Sequence, residues 1–215
     1  NIPIVIVERP KTHQRLKEYS EKRIEAITIT KDRRVVILAN IYDLGEIFSR
    51  VYDISYSNID NKKKYTLISA IGLSGRVLAA LLAITGDARG FIMSPSIAPI
   101  KLAILPINMN LQIKKLTNEI KRRMNQKGIK TVEFYDTKSL GERRVKVTAM
   151  GIPFLIEIGI NEVKSLRVNI KIRETNKIIN TKINMISAIV SKQEEVVEKL
   201  IKQKNQKNFH KLTRD

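Results

Sequence analysis

Between Ile100 and Gly159 the chain switches repeatedly between short, nearly all-apolar runs and longer amphipathic ones, an order that few architectures accept. "IKLAILPI" reads as a strand buried on both faces. "LQIKKLTNEIKRRMNQKG" sets Ile113, Leu116, Ile120 and Met124 on one helical face, with Gly128 placed to end the helix. "IKTVEFYD" is a second strand, "GERRVKVTAMG" a basic helical segment, and "IPFLIEIG" a third strand. A β-α-β-α-β order of this kind requires parallel strands covered by the helices that connect them. "LRVNIKIRE" and "KIINTKIN" pair as a hairpin across "TNK", which makes the sheet mixed. A final helix of roughly two dozen residues starts near Met185 or Ile186.

The first half has a different rhythm. "IPIVIV" and "RVVILANIY" are β-branched strands, the first ended by Pro10. Leu44, Ile47, Phe48 and Val51 recur at helical spacing before a short strand at Ile54 to Tyr56, and "NIDNKKKYTLISAI" reads as a polar turn and a strand of a hairpin. Gly72 and Gly75 frame the start of a helix with Leu78, Leu81 and Leu82 on its apolar face, and "TGDARG" closes it. Residues 1–97 thus read as an α+β domain and residues 98–215 as an α/β domain, with the boundary at the two prolines around "SIA".

Charge narrows the function. The 215 residues carry 40 Lys and Arg against 21 Asp and Glu, a net +19, which is a field suited to polyanions. Cysteine is absent, so disulfides, thiolate metal sites and Cys nucleophiles are excluded. His13 and His210 have no partners at ligand spacing, so no metal site and no cofactor are expected. The longest apolar run, Val77 to Ile84, is far short of the ~20 residues that cross a bilayer, and a soluble, cytoplasmic protein without membrane partners is expected.

Several stretches together resemble prolyl-tRNA synthetases of the archaeal type, over nearly the whole chain. "GDARGFIMSPSIAPIKLAILPI" is similar to the passage from the class II catalytic domain into the anticodon-binding domain. "RPKTHQRLKEYSEKRIEAIT", "NIYDLGEIFSRVYDISY" and "GLSGR" resemble the stretch after the catalytic insert, the substrate-site strand and helix, and the third class II motif. "GIPFLIEIGINEV" and "IKIRET" resemble the anticodon domain's central strand and hairpin. The resemblance implies an α+β remnant of a catalytic domain followed by an anticodon-binding-like domain.

The same resemblance implies that the chemistry is gone. Class II activation clamps ATP phosphates with arginines from the second and third motifs, since charge developing at phosphorus needs several fixed cations. Arg76 occupies the third-motif position as a vestigial nucleotide-site residue, while the first and second motifs have no counterpart here. Where the family has Thr-Ser-His before Leu-Gly, this chain has Asn40, Ile41 and Tyr42 before Leu44 and Gly45. The family's Gly-Asp-Asp becomes Gly86-Asp87-Ala88, and Leu155 replaces an arginine in the central strand. On the bland reading, Arg76 pairs with a local carboxylate such as Asp87, and Asp87, Arg89 and Gly90 form a turn.

The cations cluster. Lys62, Lys63 and Lys64 sit in a hairpin turn; Lys114, Lys115, Lys121, Arg122 and Arg123 lie off the apolar face of their helix; Arg143, Arg144 and Lys146 open the next helix. Lys199, Lys202, Lys204, Lys207, Lys211 and Arg214 line the C-terminal segment. Few carboxylates oppose them in sequence, and aromatics are only 5%, so a folded RNA read through backbone and shape is the expected partner. The reading is a non-catalytic RNA-binding component of translation, not an enzyme, associated with the ribosome through ribosomal RNA and with ribosomal proteins as possible neighbours. The alternatives are a tRNA-binding factor or one part of a split synthetase, and a DNA-polymerase accessory subunit.

Overall fold

The computed structural model describes residues 2–9, 20–108, 110–136 and 139–213; Pro10, His13 and Arg214, named above, lie outside the described residues. Two compact units emerge, one of Ile2–Ile84 with Asn208–Asp215, the other with Thr85–Lys207 as its body.

In the first unit, β1 (Val5–Arg9), β2 (Lys22–Ile29) and β3 (Val35–Gly45) precede a short helix α1 (Ile47–Val51). A hairpin of β4 (Ser55–Ser57) and β5 (Lys63–Tyr65) follows, then β6 (Ile68–Leu73) and α2 (Arg76–Thr85). β1, β2, β3 and β6 form an antiparallel sheet in that order. The sequence pattern passes over β2 because Glu25 interrupts its apolar alternation, yet Glu25 is 1% exposed and pairs with Asn40 across the ladder. The expected apolar face of α2 is shifted. Ala80, Leu81 and Ile84 are buried, whereas Leu78 and Leu82 are exposed. The expected hairpin forms between β4 and β5, but its second strand stops at Tyr65, and the following strand β6 joins β3 instead.

The second unit follows the predicted alternation closely. β7 (Leu102–Pro106), α3 (Leu111–Gln126), β8 (Thr131–Glu133), α4 (Leu140–Ala149) and β9 (Phe154–Ile158) come in order. After them come α5 (Ile160–Ser165), β10 (Arg167–Ile172), β11 (Ile178–Lys182) and α6 (Ile186–Thr213). The sheet order is β11-β10-β9-β7-β8, with β7 parallel to β8 and β9 and the hairpin strands antiparallel. Ile113, Ile120 and Met124 of α3 and Ile186, Val190 and Ile201 of α6 bury one face of this sheet against Leu102, Ile104, Phe154 and Ile156. Each such side chain, fully buried, contributes about 1.5–3 kcal/mol of transfer free energy. On the other face, Val147 of α4 packs on Ala103, Leu105 and Leu155. Asn110 caps α3 by accepting from the Ile113 N–H at 2.9 Å, and Ser139 with Glu142 forms a capping box on α4. Gly128 takes φ +75° just past α3, as its placement predicted.

The segment ahead of β7 is fastened to this unit. Phe91 N–H donates to Ala149 O at 3.0 Å and Met93 N–H to Gly151 O at 3.2 Å. The approach is so close that a Cβ on Gly90 would lie 2.6 Å from Ala149 Cα, and one on Gly151 would lie 2.7 Å from Phe91 O. Both glycines also have positive φ, +121° and +74°. Arg173, 6% exposed, bridges both oxygens of Asp87 at 3.0 and 2.7 Å and donates to Thr148 O at 3.0 Å.

Candidate nucleic-acid interface

Strand register decides which polar side chains of the second unit share a face. Val168, Ile170 and Ile172 of β10 point into the core with α3 and α6, so Arg167, Asn169 and Lys171 point the opposite way. Lys171 is opposite Leu155 and Ile178, Asn169 opposite Asn180, and Arg167 opposite Lys182. All of these except Leu155 are exposed, so among the described residues the half of the sheet formed by β10 and β11 carries no covering helix beside α4. The bare face is ordered by its own hydrogen bonds. Asn180 Nδ2 donates to Asn169 Oδ1 at 2.9 Å, and Arg167 Nε donates to Asn180 Oδ1 at 2.6 Å. Its border with α4 is a bidentate pair in which Arg144 Nε and Nη2 reach the two Glu157 oxygens at 2.5 Å. That pair raises the Arg144 pKa above its ordinary value. Three cations around a pair of fixed amides can hold phosphates and offer donors and acceptors to base edges. The period-two pattern Arg-x-Asn-x-Lys in "LRVNIKI" carries this signal, which the clusters in the hairpin turn, the helices and the C-terminal segment do not include.

The expected site residues fare unequally. Arg143, expected to meet phosphate, is 3% exposed. Its Nη1 donates to Pro106 O at 2.7 Å and Phe134 O at 3.2 Å, its Nη2 to Ile107 O at 3.4 Å, and its guanidinium lies 5.1 Å from the Tyr135 ring centre. This arginine ties together the C-terminal ends of the neighbouring parallel strands β7 and β8 and is not a surface cation. The expectation that carboxylates seldom oppose the clusters also needs correction. Lys63 is paired with Asp53, Lys121 with Glu133, Arg123 with Glu119, Lys146 with Asp136 and Lys204 with Glu174. Lys62, Lys64, Lys114, Lys115, Arg122, Lys199, Lys202, Lys207 and Lys211 are exposed without an ion-pair partner among the described residues. Lys114, Lys115 and Arg122 belong to α3, on the opposite side of the sheet from the bare face. Lys62 and Lys64 belong to the first unit.

In the first unit, the positions expected to have lost their chemistry are engaged with one another. Arg23 donates to Asn40 Oδ1 from Nε and Nη2 at 3.2 and 3.1 Å, pairs with Glu25 at 2.6 Å and stands 5.5 Å from the Tyr42 ring centre. Arg9 holds the other Glu25 oxygen at 2.8 Å. Arg76 is exposed at the start of α2 with no carboxylate partner among the described residues, and Asp87 is held by Arg173 and Arg89. No group of three or more His, Cys, Asp or Glu that could hold a metal occurs among the described residues, and His210 is exposed. No described helix is long and apolar enough to cross a membrane.

Known proteins resemble this chain in both sequence and fold. Residues 101–193 match the anticodon binding domain family. The chain is 32% identical over 161 residues to a proline–tRNA ligase of Ignicoccus hospitalis, covering 72% of this chain and 34% of that protein. It is 32% identical over 205 residues to one of Saccharolobus islandicus, covering 93% and 40%. A prolyl-tRNA synthetase from Cryptosporidium parvum, solved with halofuginone and AMPPNP, superposes with a TM-score of 0.83 at 18% identity, over 96% of this chain and 43% of that one. The chain therefore spans between a third and about two-fifths of the length of these curated relatives.

Proposed function

Because residues 101–193 form an anticodon-binding domain of the proline–tRNA ligase family and the chain is homologous to archaeal prolyl-tRNA synthetases, we propose that it is a non-catalytic RNA-binding protein of translation that engages tRNA. The observation that carries this reading is the bare half-sheet of β10 and β11, where Arg167, Lys171 and Lys182 surround the Asn169–Asn180 amide pair. Phosphates bind the cations and fix register, while the amides contribute sequence preference. With so few aromatic residues, stacking is not the principal source of affinity.

The first unit is read as a class II catalytic remnant that does no chemistry. Arg23 is shared between Glu25, the Asn40 side-chain carbonyl and the face of the Tyr42 ring, so these β3 positions are turned toward an internal network rather than toward a substrate. Arg76 alone cannot clamp a triphosphate. Purified protein should therefore give no proline-dependent ATP–pyrophosphate exchange; exchange above background that Arg76→Ala abolishes would overturn the non-catalytic reading.

A second reading, attachment to ribosomal RNA, is favoured by the unpaired Lys114, Lys115 and Arg122 on the far side of the same sheet. Cations on both sides suit a domain enclosed by RNA more than one lying against a single anticodon arm. Gradient sedimentation at moderate salt separates the two. Recovery with the tRNA fraction supports the first, recovery with a ribosomal subunit the second, and recovery with neither RNA sinks both.

A further inference from the structure

A cleft of about 490 Å³ opens on the α3 side of the second unit, between that helix and the ends of β10 and β11. Its apolar part is Leu116, Leu166 and Ile183, and Arg123, Arg167 and Lys182 supply its cations. Leu166 is the unusual member. It follows α5 with φ +52°, in the left-handed region, and its side chain is 60% exposed. A bulky residue in that region costs about 1–2 kcal/mol, which glycine would avoid, and such strain concentrates at sites of recognition. The conformation is pinned by Leu166 O accepting from the Ile183 N–H at 3.1 Å. An exposed leucine held in a costly conformation over a cleft is consistent with a side chain retained for what it touches.

Three properties narrow the occupant. The volume falls in the ordinary range for small ligands of about 300–1,000 Å³ and is near its lower end, enough for one nucleotide. The apolar patch offers a surface to one flat base. Positive charge surrounds it: Lys115 and Arg122, unpaired, stand one turn to either side of Glu119 on α3. Glu119 is the lone carboxylate among the lining residues, and it is paired with Arg123 at 2.5 Å. The cleft also joins the bare half-sheet, because the cross-strand pair Arg167 and Lys182 belongs to both. An RNA lying on that face needs to unstack only one nucleotide at its edge to reach the cleft.

We infer that this cleft receives a single unstacked nucleotide of the bound RNA, its base against Leu116, Leu166 and Ile183 and its phosphate on the flanking cations. The inference rests on the RNA-binding reading and adds to it a second contact on the other side of the sheet. A base stacked on an aromatic ring changes affinity by about five- to a hundredfold, and one packed on these aliphatic side chains by less, while phosphate contacts act on paired and unpaired RNA alike.

The test uses the full chain, a stem-loop RNA with 4-thiouridine at each loop position in turn, and a fully paired duplex of the same stem. Wild type should bind the stem-loop more tightly than the duplex, with one loop position crosslinking to α3 or to the β10–β11 end. Leu166→Gly accepts the backbone conformation without strain and should fold at least as well, yet lose most of the preference for the stem-loop. Lys171→Glu on the bare face should weaken both RNAs equally. If Leu166→Gly keeps the wild-type preference while Lys171→Glu weakens binding, the nucleotide pocket is wrong and the RNA reading stands. If wild type binds neither RNA, both fail. Saturation by free guanosine 5′-monophosphate, with no preference for the stem-loop, would identify a mononucleotide site and also overturn the inference.

Discussion

Removing the Arg143 guanidinium should cost fold stability, and the adjacent Arg144 should not. Arg143 is 3% exposed and donates to the carbonyls of Pro106, Phe134 and Ile107 from two neighbouring strand ends. Truncation to alanine strands these acceptors where water enters poorly and leaves a void under Tyr135. Each stranded acceptor costs about 1–3 kcal/mol, and losing the unpartnered Nε offsets part of the sum, so the net loss should be about 3–5 kcal/mol. For a chain of this size each kcal/mol moves the midpoint by about 2–4 °C, so Arg143→Ala should lower Tm by roughly 6–20 °C. Arg144 is half exposed and paired with a partly exposed Glu157, and losing that pair should cost under about 1 kcal/mol. Arg143→Lys should fall between the two, since one ammonium cannot span the three carbonyls. Circular-dichroism melts of the three variants at matched salt decide the matter. An Arg143→Ala protein that melts within about 2 °C of wild type but binds RNA poorly would show that the guanidinium serves a ligand and that its role in joining the strands is misjudged.

The Arg173 guanidinium beside Asp87 holds that carboxyl well below the usual carboxylate range. A lowered folded pKa stabilises above the unfolded value of about 4 and is progressively lost as pH falls beneath it, so Asp87→Asn should flatten the acid side of the Tm–pH curve. An unchanged acid slope would mean that the pair contributes nothing to folding. Gly90→Ala and Gly151→Ala should each destabilise by more than about 1 kcal/mol, since the new methyl meets backbone and φ is positive, whereas Gly72→Ala, which meets nothing within 4 Å, should stay within about 0.5 kcal/mol. Urea midpoints compare the three. Lys204→Ala, which removes a cation already paired with Glu174, should leave the salt dependence of RNA binding as in wild type, while Lys171→Ala should lower its slope by about 0.7–0.9; filter binding at several salt concentrations reads both.

What the sequence makes legible depends on how local the cause is. The α3 face is set by Ile113, Leu116, Ile120 and Met124 within one helix, and period 3.6 reveals it without tertiary information. The parallel order follows because β7, β8 and β9 are separated by helices long enough to cross over. β2 escapes because a buried glutamate looks like a surface residue until Arg9 and Arg23, one on the neighbouring strand and one two residues away, are seen to neutralise it. Arg143 and Arg144 are adjacent, and nothing local says that one turns inward; about 100° of helical rotation separates core from solvent. The Asp87–Arg173 pair spans 86 positions, beyond the reach of any pattern. The bare half-sheet stood in plain view as alternation, but the absence of a helix over it is a property of topology.

The fastening of residues 87–93 to α4 and Arg173 bears on how this domain can be moved between genes. The stretch that matches the family begins at residue 101, and the proline pair just before it looks like a convenient splice point. A recombinant joined there would inherit an arginine that is 6% exposed and has lost its carboxylate, together with Gly151 at the end of α4 facing an empty groove. The unit that folds begins at Thr85, so a viable exchange must carry along the residues that precede the recognisable motif. Heredity and packing draw the edge of the same module in different places.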